Sequence, residues 1–331
     1  MISVVAPIYN EEEIITLLHD SIADAMENVD EKWEVVYVND GSKDSSLELL
    51  RNLQATDPRI VVVELSRNWG HMGALWAGMQ TARGDAVILM DGDLQDPPEV
   101  LPEFVQAWRN GAQVVSAVRR SRKESRKLLA FLFPLFHHLL GKLSDYPIPL
   151  NSGIFGLLDR QALDSINSLQ ECNRYLPGLR AWVGYRTAIV QYDRNDRAGG
   201  EGKLTFLSRI KYAMDAITSF SYKPLRLSFA LSSLAVTFSI VLAILAAVSH
   251  SSSVDLFGIM ASVFFVGGLL LLCVGIIGEY VGRVYDEVRR RPLSLINHVY
   301  RETAQYAQPI TRLQGTRSGV NGNAEKIYPA A

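Results

Sequence analysis

The chain has 331 residues, 48% hydrophobic and 21% charged, with a mean hydropathy of +0.08. That allows roughly one to three domains of about 100–200 residues and excludes disorder over most of the length. The net charge of −2 divides into −13 over residues 1–100, +8 over 101–225 and +3 over 226–331, and so acidic a start argues against a nucleic-acid binder.

Apolar runs alternate with helical spacing from the first residues. Residues 2–8 read as a buried strand and 11–26 as a helix; 34–39 is a strand and 44–54 a helix. Residues 60–65 follow as a strand, 72–82 as a helix, 86–90 as a strand, 99–109 as a helix and 114–118 as a strand. Continuous Val/Ile/Leu strands alternating with helices predict an α/β fold, a doubly wound and mostly parallel sheet. Ligands of such sheets bind beyond the carboxyl ends of the strands. Polar residues stand there: Pro7-Ile8-Tyr9-Asn10-Glu11-Glu12, then Asn39-Asp40-Gly41-Ser42, then Asp91-Gly92-Asp93-Leu94-Gln95-Asp96. Neither a G-x-G-x-x-G turn after the first strand nor a P-loop is present, so phosphates are not held by those glycine turns.

Asp91 and Asp93 flank Gly92, where a turn lets two carboxylates converge on one cation. Oxygen ligands without nearby His or Cys suit Mg²⁺ or Mn²⁺, whose shell is completed by water and substrate phosphates. Gln95 is placed to ligate or orient. Asp96, before Pro97-Pro98, also reads as a turn or helix cap. Cys172 and Cys273 are far apart and lack metal-ligand spacing, which argues against a disulfide framework and a cysteine zinc site.

Further on, the apolar residues concentrate. Residues about 126–143 contain LLAFLFPLFHHLLGKL, preceded by Arg122, Lys123, Arg126 and Lys127, and are interrupted by Pro134 and the His137–His138 pair. Residues about 204–222 place Phe206, Ile210, Ala213, Met214 and Ile217 at helical spacing. Both read as basic amphipathic helices in the membrane interface. Residues about 227–249 and 256–278 are each 23 residues without Asp, Glu, Lys or Arg. At about 1.5 Å per residue each crosses a hydrocarbon core of roughly 30 Å. Lys223 and Arg226 precede the first run, Arg283 and Arg289 to Arg291 follow the second, and the link between them has neither Lys nor Arg. The positive-inside rule therefore puts both termini in the cytoplasm. The expected organisation is a cytoplasmic domain over 1–225, two spans within 226–282, and a cytoplasmic helix and polar tail over 283–331. No signal peptide is expected ahead of the first strand. No function is assigned after about residue 304. The weakly polar spans leave room for packing between subunits of a homo-oligomer.

These motifs together resemble the family 2 glycosyltransferases of GT-A fold, and within them the polyprenyl-phosphate group that includes dolichol-phosphate mannose synthase and bactoprenol glucosyltransferases. The matching pieces are APIYNEEE at 6–13, VNDGSKDSS at 38–46, SRNWGHMGALWAGMQTARGD at 66–85 and MDGDLQDPPE at 90–99. LLDR at 157–160, RAGGEGKL at 197–204 and SFSYKPLR at 219–226 also match. The resemblance covers about residues 2–290. It implies that Pro7, Tyr9, Glu11, Val38 and Asp40 line a nucleotide pocket. It implies that Asp91, Gly92, Asp93 and Gln95 hold metal and diphosphate, with Arg119 near the phosphates at the end of a fifth strand. Arg197 and Lys203 would belong to a loop closing on the donor, although Gly202 stands where the family usually has Ser, and Asn39 where it commonly has Asp.

The implied reaction moves a sugar from a nucleoside diphosphate, UDP-glucose by the bacterial-type likeness, to a polyprenyl phosphate. An alkyl phosphate with a second pKa of about 6 is already a nucleophile at neutral pH, so no strong base is required. Single displacement inverts the anomeric centre. Arg122 and Arg126, just ahead of the first interfacial stretch, are the candidates for the acceptor phosphate. Three alternatives stay open: a GDP-mannose donor, a processive polysaccharide synthase, and a non-catalytic nucleotide-sugar-binding membrane scaffold. The synthase motif Q-x-x-R-W is only loosely approached by Glu171 to Tyr175, where Glu171 and Arg174 could line the acceptor side. Spans free of internal charge offer no polar pathway, which counts against transport.

Overall fold

The structure, a computed structural model, describes residues 1–120, 152–169, 171, 174–194, 228, 231–241 and 256–301. The chain order is β1 (Ile2–Ile8), α1 (Ile15–Glu27), β2 (Trp33–Asn39), α2 (Ser46–Thr56), β3 (Ile60–Leu65), α3 (His71–Thr81) and β4 (Ala86–Leu89). A short 3₁₀ turn, Pro98–Val100, leads into α4 (Leu101–Arg109) and β5 (Val114–Arg119). Then come β6 (Ser152–Asp159), α5 (Arg160–Ser168), α6 (Leu176–Trp182) and β7 (Thr187–Tyr192). Two apolar helices, α7 (Leu231–Val241) and α8 (Leu256–Arg289), precede a last strand, β8 (Ile296–Tyr300).

All strands join one eight-stranded sheet in the order β7-β5-β6-β4-β1-β2-β3-β8. Every residue of β1 is buried, because helices cover both faces. Ile2, Val4, Ala6 and Ile8 point to one face, against Leu18 and Ile22 of α1 and Phe104 of α4. Val5 points to the other, with Leu75 and Trp76 of α3, Leu163 of α5 and Leu179 of α6. The period-2 alternation of a strand thus separates two cores, one on each side of the sheet.

The sheet is mixed but mostly parallel, as expected: only β6 and β8 run against the other strands. β1 pairs in parallel with β2 and β4, β2 with β3, and β5 with β7. β6 runs antiparallel between β4 and β5, and β8 runs antiparallel on the edge of β3. Strands β6, β7 and β8 were not among the predicted ones. β7 and β8 are edge strands with short, partly exposed patterns, so neither shows the continuous apolar run of a central strand. Helix α1 starts at Ile15, later than predicted, because residues 10–12 turn away to bond the loop after β2.

Helix α8 has 34 residues and extends beyond the predicted end of the second span. Within it, Phe265–Arg289 is the one stretch among the described residues long and apolar enough to cross a membrane, with a mean hydropathy of 2.0. Of the other predicted span, 231–241 is described as helix. Phe238 meets Phe265 edge-to-face at 5.4 Å, and Ser232 Oγ lies 3.6 Å from Cys273 Sγ, so α7 and α8 run antiparallel. The predicted interfacial helices at 126–143 and 204–222 lie outside the described residues.

Past α8 the chain returns to the sheet. The Ser66 N–H donates to the Leu295 carbonyl at 2.9 Å, and Ser294 Oγ–H to the Gly73 carbonyl at 3.0 Å. Asn297 and the Tyr300 hydroxyl donate to the two oxygens of Glu64, at 2.9 and 2.8 Å. Arg301 sits 3.4 Å from Glu34 and donates to the Thr81 carbonyl. Part of the segment expected to be a C-terminal helix and polar tail over 283–331 therefore forms a strand, which covers the open edge of β3.

Candidate active site

The carboxyl ends of β1, β2, β4, β5 and β7 converge on one edge of the sheet. The loops after β1 and β2 are laced together. The Asn10 and Glu11 N–H groups donate to Ser42 and Ser46 hydroxyls at 3.1 and 3.0 Å, and the Lys43 N–H donates to Asn10 Oδ1 at 2.8 Å. Asn10 adopts φ +54°, a left-handed conformation that Asn tolerates. Gly41 has φ +65°, and a Cβ there would lie 2.6 Å from the backbone of Arg67 and Asn68, so only glycine lets the loop after β3 approach.

Asp40 is buried and accepts the Trp69 N–H at 2.7 Å. Burial pushes its pKa up, while the N–H groups of Trp69 and Gly70 and the nearby His71 and Arg67 pull it down. Its carboxylate therefore fixes the start of α3. Val38 is fully buried, and a Cβ on Gly78 would lie 2.9 Å from its Cγ2, so its side chain packs against α3. Pro7 is likewise buried, whereas Tyr9 and Glu11 are half-buried at the loop surface.

Asp91, Gly92 and Asp93 form the turn after β4. A Cβ on Gly92 would sit 2.4 Å from the Pro7 carbonyl oxygen, so the turn lies directly against β1. Asp93 Oδ1 accepts the Gln95 N–H at 3.2 Å, and Leu94 takes φ +56°. Asp91 has one oxygen 3.3 Å from His71 Nε2 and the other 3.5 Å from Arg194 Nη2. Arg194 Nε is 3.9 Å from Asp96 Oδ1. Asp96 is buried and accepts the Tyr192 hydroxyl at 2.9 Å, and that hydroxyl in turn accepts from Arg119 Nε at 3.1 Å. Burial, with the Asp91 charge second, pushes the Asp96 pKa up. Burial likewise pushes the Tyr192 phenol up to about 12, so it stays a donor.

Asp91, Asp93 and Gln95, placed by the strand-end rule, and Arg119, placed by the resemblance, share one edge of the sheet. His71, Asp96, Tyr192 and Arg194 complete it and were not assigned from sequence. Arg194 follows β7 by two residues, so recognising that strand would have exposed it to the same rule. His71 stood inside the SRNWGHMGAL piece without a role. Arg174 donates to the Glu171 and Leu169 carbonyls at 2.7 Å and stacks on Trp76 at 3.7 Å, which ties its guanidinium to its own loop. Arg122, Arg126, Arg197 and Lys203 lie outside the described residues.

The donors of the turn itself are oxygens, two carboxylates and the Gln95 amide, but His71 Nε2 at 3.3 Å from Asp91 corrects the expectation that no histidine lies nearby, because the fold brings the start of α3 to the turn. Among the described residues no three His, Cys, Asp or Glu side chains gather as a complete cage. Two carboxylates with water and substrate oxygens suit Mg²⁺ or Mn²⁺, so the residues present fit such an ion.

Residues 3–166 match the glycosyl transferase family 2 model, and residues 223–284 match that of the GtrB C-terminal hairpin. The uncharacterized glycosyltransferase YkcC of Bacillus subtilis (strain 168) is 38% identical over 90% of this chain and 94% of its own length. The chain belongs to glycosyl transferase family 2. Its sheet is the mixed α/β sheet of the GT-A type. The bactoprenol glucosyl transferase of Shigella phage SfV is 35% identical over 90% of this chain and 98% of its own, in the group the motifs resemble. Among solved structures, the mannosyltransferase PcManGT from Pyrobaculum calidifontis in complex with GDP-Man and Mn²⁺ is similar at 19% identity. Its TM-score is 0.42, over 86% of this chain and 87% of that one.

Proposed function

We propose that this glycosyltransferase transfers glucose from UDP-glucose to the phosphate of a polyprenyl phosphate at the cytoplasmic face of a membrane, inverting the anomeric carbon. One observation carries the reading. A single chain joins an acidic turn at the carboxyl edge of a family 2 domain to an apolar helical hairpin. Relatives named for bactoprenol and glucose match it over nearly their whole length. The antiparallel packing of α7 and α8, and the return of β8 to the sheet, support a two-span hairpin with both flanks on the catalytic side.

In this reading Tyr9, Glu11 and the backbone at Pro7 and Val38 border the nucleotide, and Asp40 holds the loop that closes the pocket. Asp91, Asp93 and Gln95 would hold Mg²⁺ or Mn²⁺, which neutralises charge on a diphosphate. Arg119 faces the phosphates from the end of β5, and Arg197 and Lys203 add positive charge from the donor loop. Arg122 and Arg126 hold the acceptor phosphate beside the bilayer. An oxygen of that phosphate attacks the anomeric carbon. The bond from that carbon to the diphosphate breaks, and the nucleoside diphosphate leaves with the electron pair. The acceptor is already anionic, so the chain supplies positioning and charge complementarity rather than a base.

Membranes containing the protein are incubated with radiolabelled UDP-glucose, Mn²⁺ and polyprenyl phosphate. Label is expected in an organic-extractable lipid that mild acid releases. GDP-mannose in the same assay tests the other donor. The absence of such a lipid with every common nucleotide sugar refutes the reading.

A further inference from the structure

We propose that Arg194 is a second, mobile counter-ion of the site: it holds Asp91 while no divalent cation is bound, and moves to the donor diphosphate when one is. This rests on the reading of Asp91 and Asp93 as metal ligands. Arg194 leaves β7 on the edge where Asp91 leaves β4, and Nη2 lies 3.5 Å from Asp91 Oδ2. That oxygen belongs to the carboxylate a divalent cation would approach to about 2.0–2.1 Å. A permanently charged guanidinium and a divalent cation on one carboxylate repel each other, so they compete for it.

The guanidinium is also poorly committed where it stands. Its Nε is buried without a hydrogen-bond partner among the described residues and lies 3.9 Å from Asp96, beyond hydrogen-bond distance. Asp96 already accepts from Tyr192 at 2.9 Å. The planar fork of an arginine matches two phosphate oxygens, and among the described residues Asp91 is the one hydrogen-bond acceptor of Arg194. Displacement from Asp91 therefore frees a cation with unused donors beside the turn where a diphosphate would bind. Arg119 is less free to do this, because its Nε is spent on the Tyr192 hydroxyl at 3.1 Å.

The proposal makes two affinities move in opposite directions, which a merely structural role would not do. The full chain is purified in detergent as parent, R194Q and D91N. Binding of Mn²⁺ alone is followed by the electron paramagnetic resonance signal of the free ion. Binding of UDP and of GDP is then measured by calorimetry at saturating Mn²⁺. R194Q is expected to bind Mn²⁺ alone about threefold, and at most about fivefold, more tightly than parent, the range for losing one partly exposed ion pair. It is expected to bind the nucleotide roughly tenfold more weakly, the loss of one charge-assisted contact. R194M gives the same pair of readings if R194Q is not recovered folded. Any other combination, including both affinities falling together, overturns the role of Arg194. Undiminished Mn²⁺ binding by D91N, or no nucleotide binding by the parent, overturns the underlying donor-site reading and the proposal with it.

Discussion

Replacing Gly92 by alanine tests whether the acidic turn must lie against β1. The added Cβ would sit 2.4 Å from the Pro7 carbonyl oxygen and 2.7 Å from Ile8 Cδ1. Contacts under 3.0 Å require movement, so the turn or the strand must shift by about 0.6 Å. The strand is the stiffer partner. Pro7 is registered with Val38 in the parallel ladder, and Val5 accepts the Met90 N–H at 3.1 Å. The displacement therefore falls on Asp91 and Asp93. Overpacking of this kind costs about 1–3 kcal/mol. At about 2–4 °C per kcal/mol, G92A should melt roughly 2–12 °C lower. A misplacement approaching 1 Å costs about 10²-fold in rate, so transfer to lipid should fall by one to two orders of magnitude. The assay pairs a detergent melting curve with radiolabelled transfer on the same preparation. A variant melting with the parent and transferring sugar within about twofold of it would refute the close-packing argument.

Other outcomes follow from the same geometry. Asp93→Ala should abolish transfer and Mn²⁺ binding together while the melting temperature stays within a few degrees; near-parental turnover would reject Asp93 as a ligand. Ending the chain after Pro292 removes β8, whereas ending it after Arg301 retains it. The four register pairs with β3, at about 1 kcal/mol per hydrogen bond, predict a difference of roughly 4 kcal/mol between the two, read by thermal melting. His19 is buried, with Nδ1 3.2 Å from the Tyr37 hydroxyl and Nε2 3.5 Å from Asp57. Burial lowers its pKa from 6.5, so below that value the unfolded chain takes up the proton first and stability falls as the medium is acidified. Asp57, held low mainly by the Arg59 guanidinium, adds a loss only as pH falls below about 3.8 toward its own lower folded value. H19Q should flatten melting temperature against pH between about 7 and 5; an unchanged slope would remove His19 as its source.

The central strands were legible because they are buried on both faces and so read as unbroken Val/Ile/Leu runs. β1 and β2 fall where the pattern put them, within a residue. The same pattern located Asp91, Asp93 and Gln95 just past a strand end, whereas Arg119 came from the family resemblance. What escaped was β6, an antiparallel strand inside the sheet, and the two edge strands. β7 alternates exposed and half-buried residues, and β8 is five residues beyond a helix of 34, so neither carries an apolar run. Missing β7 hid Tyr192 and Arg194. Asp96, read as a turn or cap, became the buried acceptor of Tyr192 only once β7 was in place.

The partition of charge can now be located more closely. The sequence by itself determined an acidic α/β domain joined to apolar helices, because composition and periodicity record which residues leave water. It also determined the acidic turn, because adjacent residues cannot be far apart. Only the tertiary structure decided which basic side chains gather beside that turn. His71, Arg119 and Arg194 come from α3, β5 and β7, strand and helix ends brought together by pairing across the sheet. Only the structure, too, brought residues 293–301 back onto β3 and α3. Both are long-range pairings, set by complementary edges and hydrogen-bond register, and no local window of sequence contains both partners.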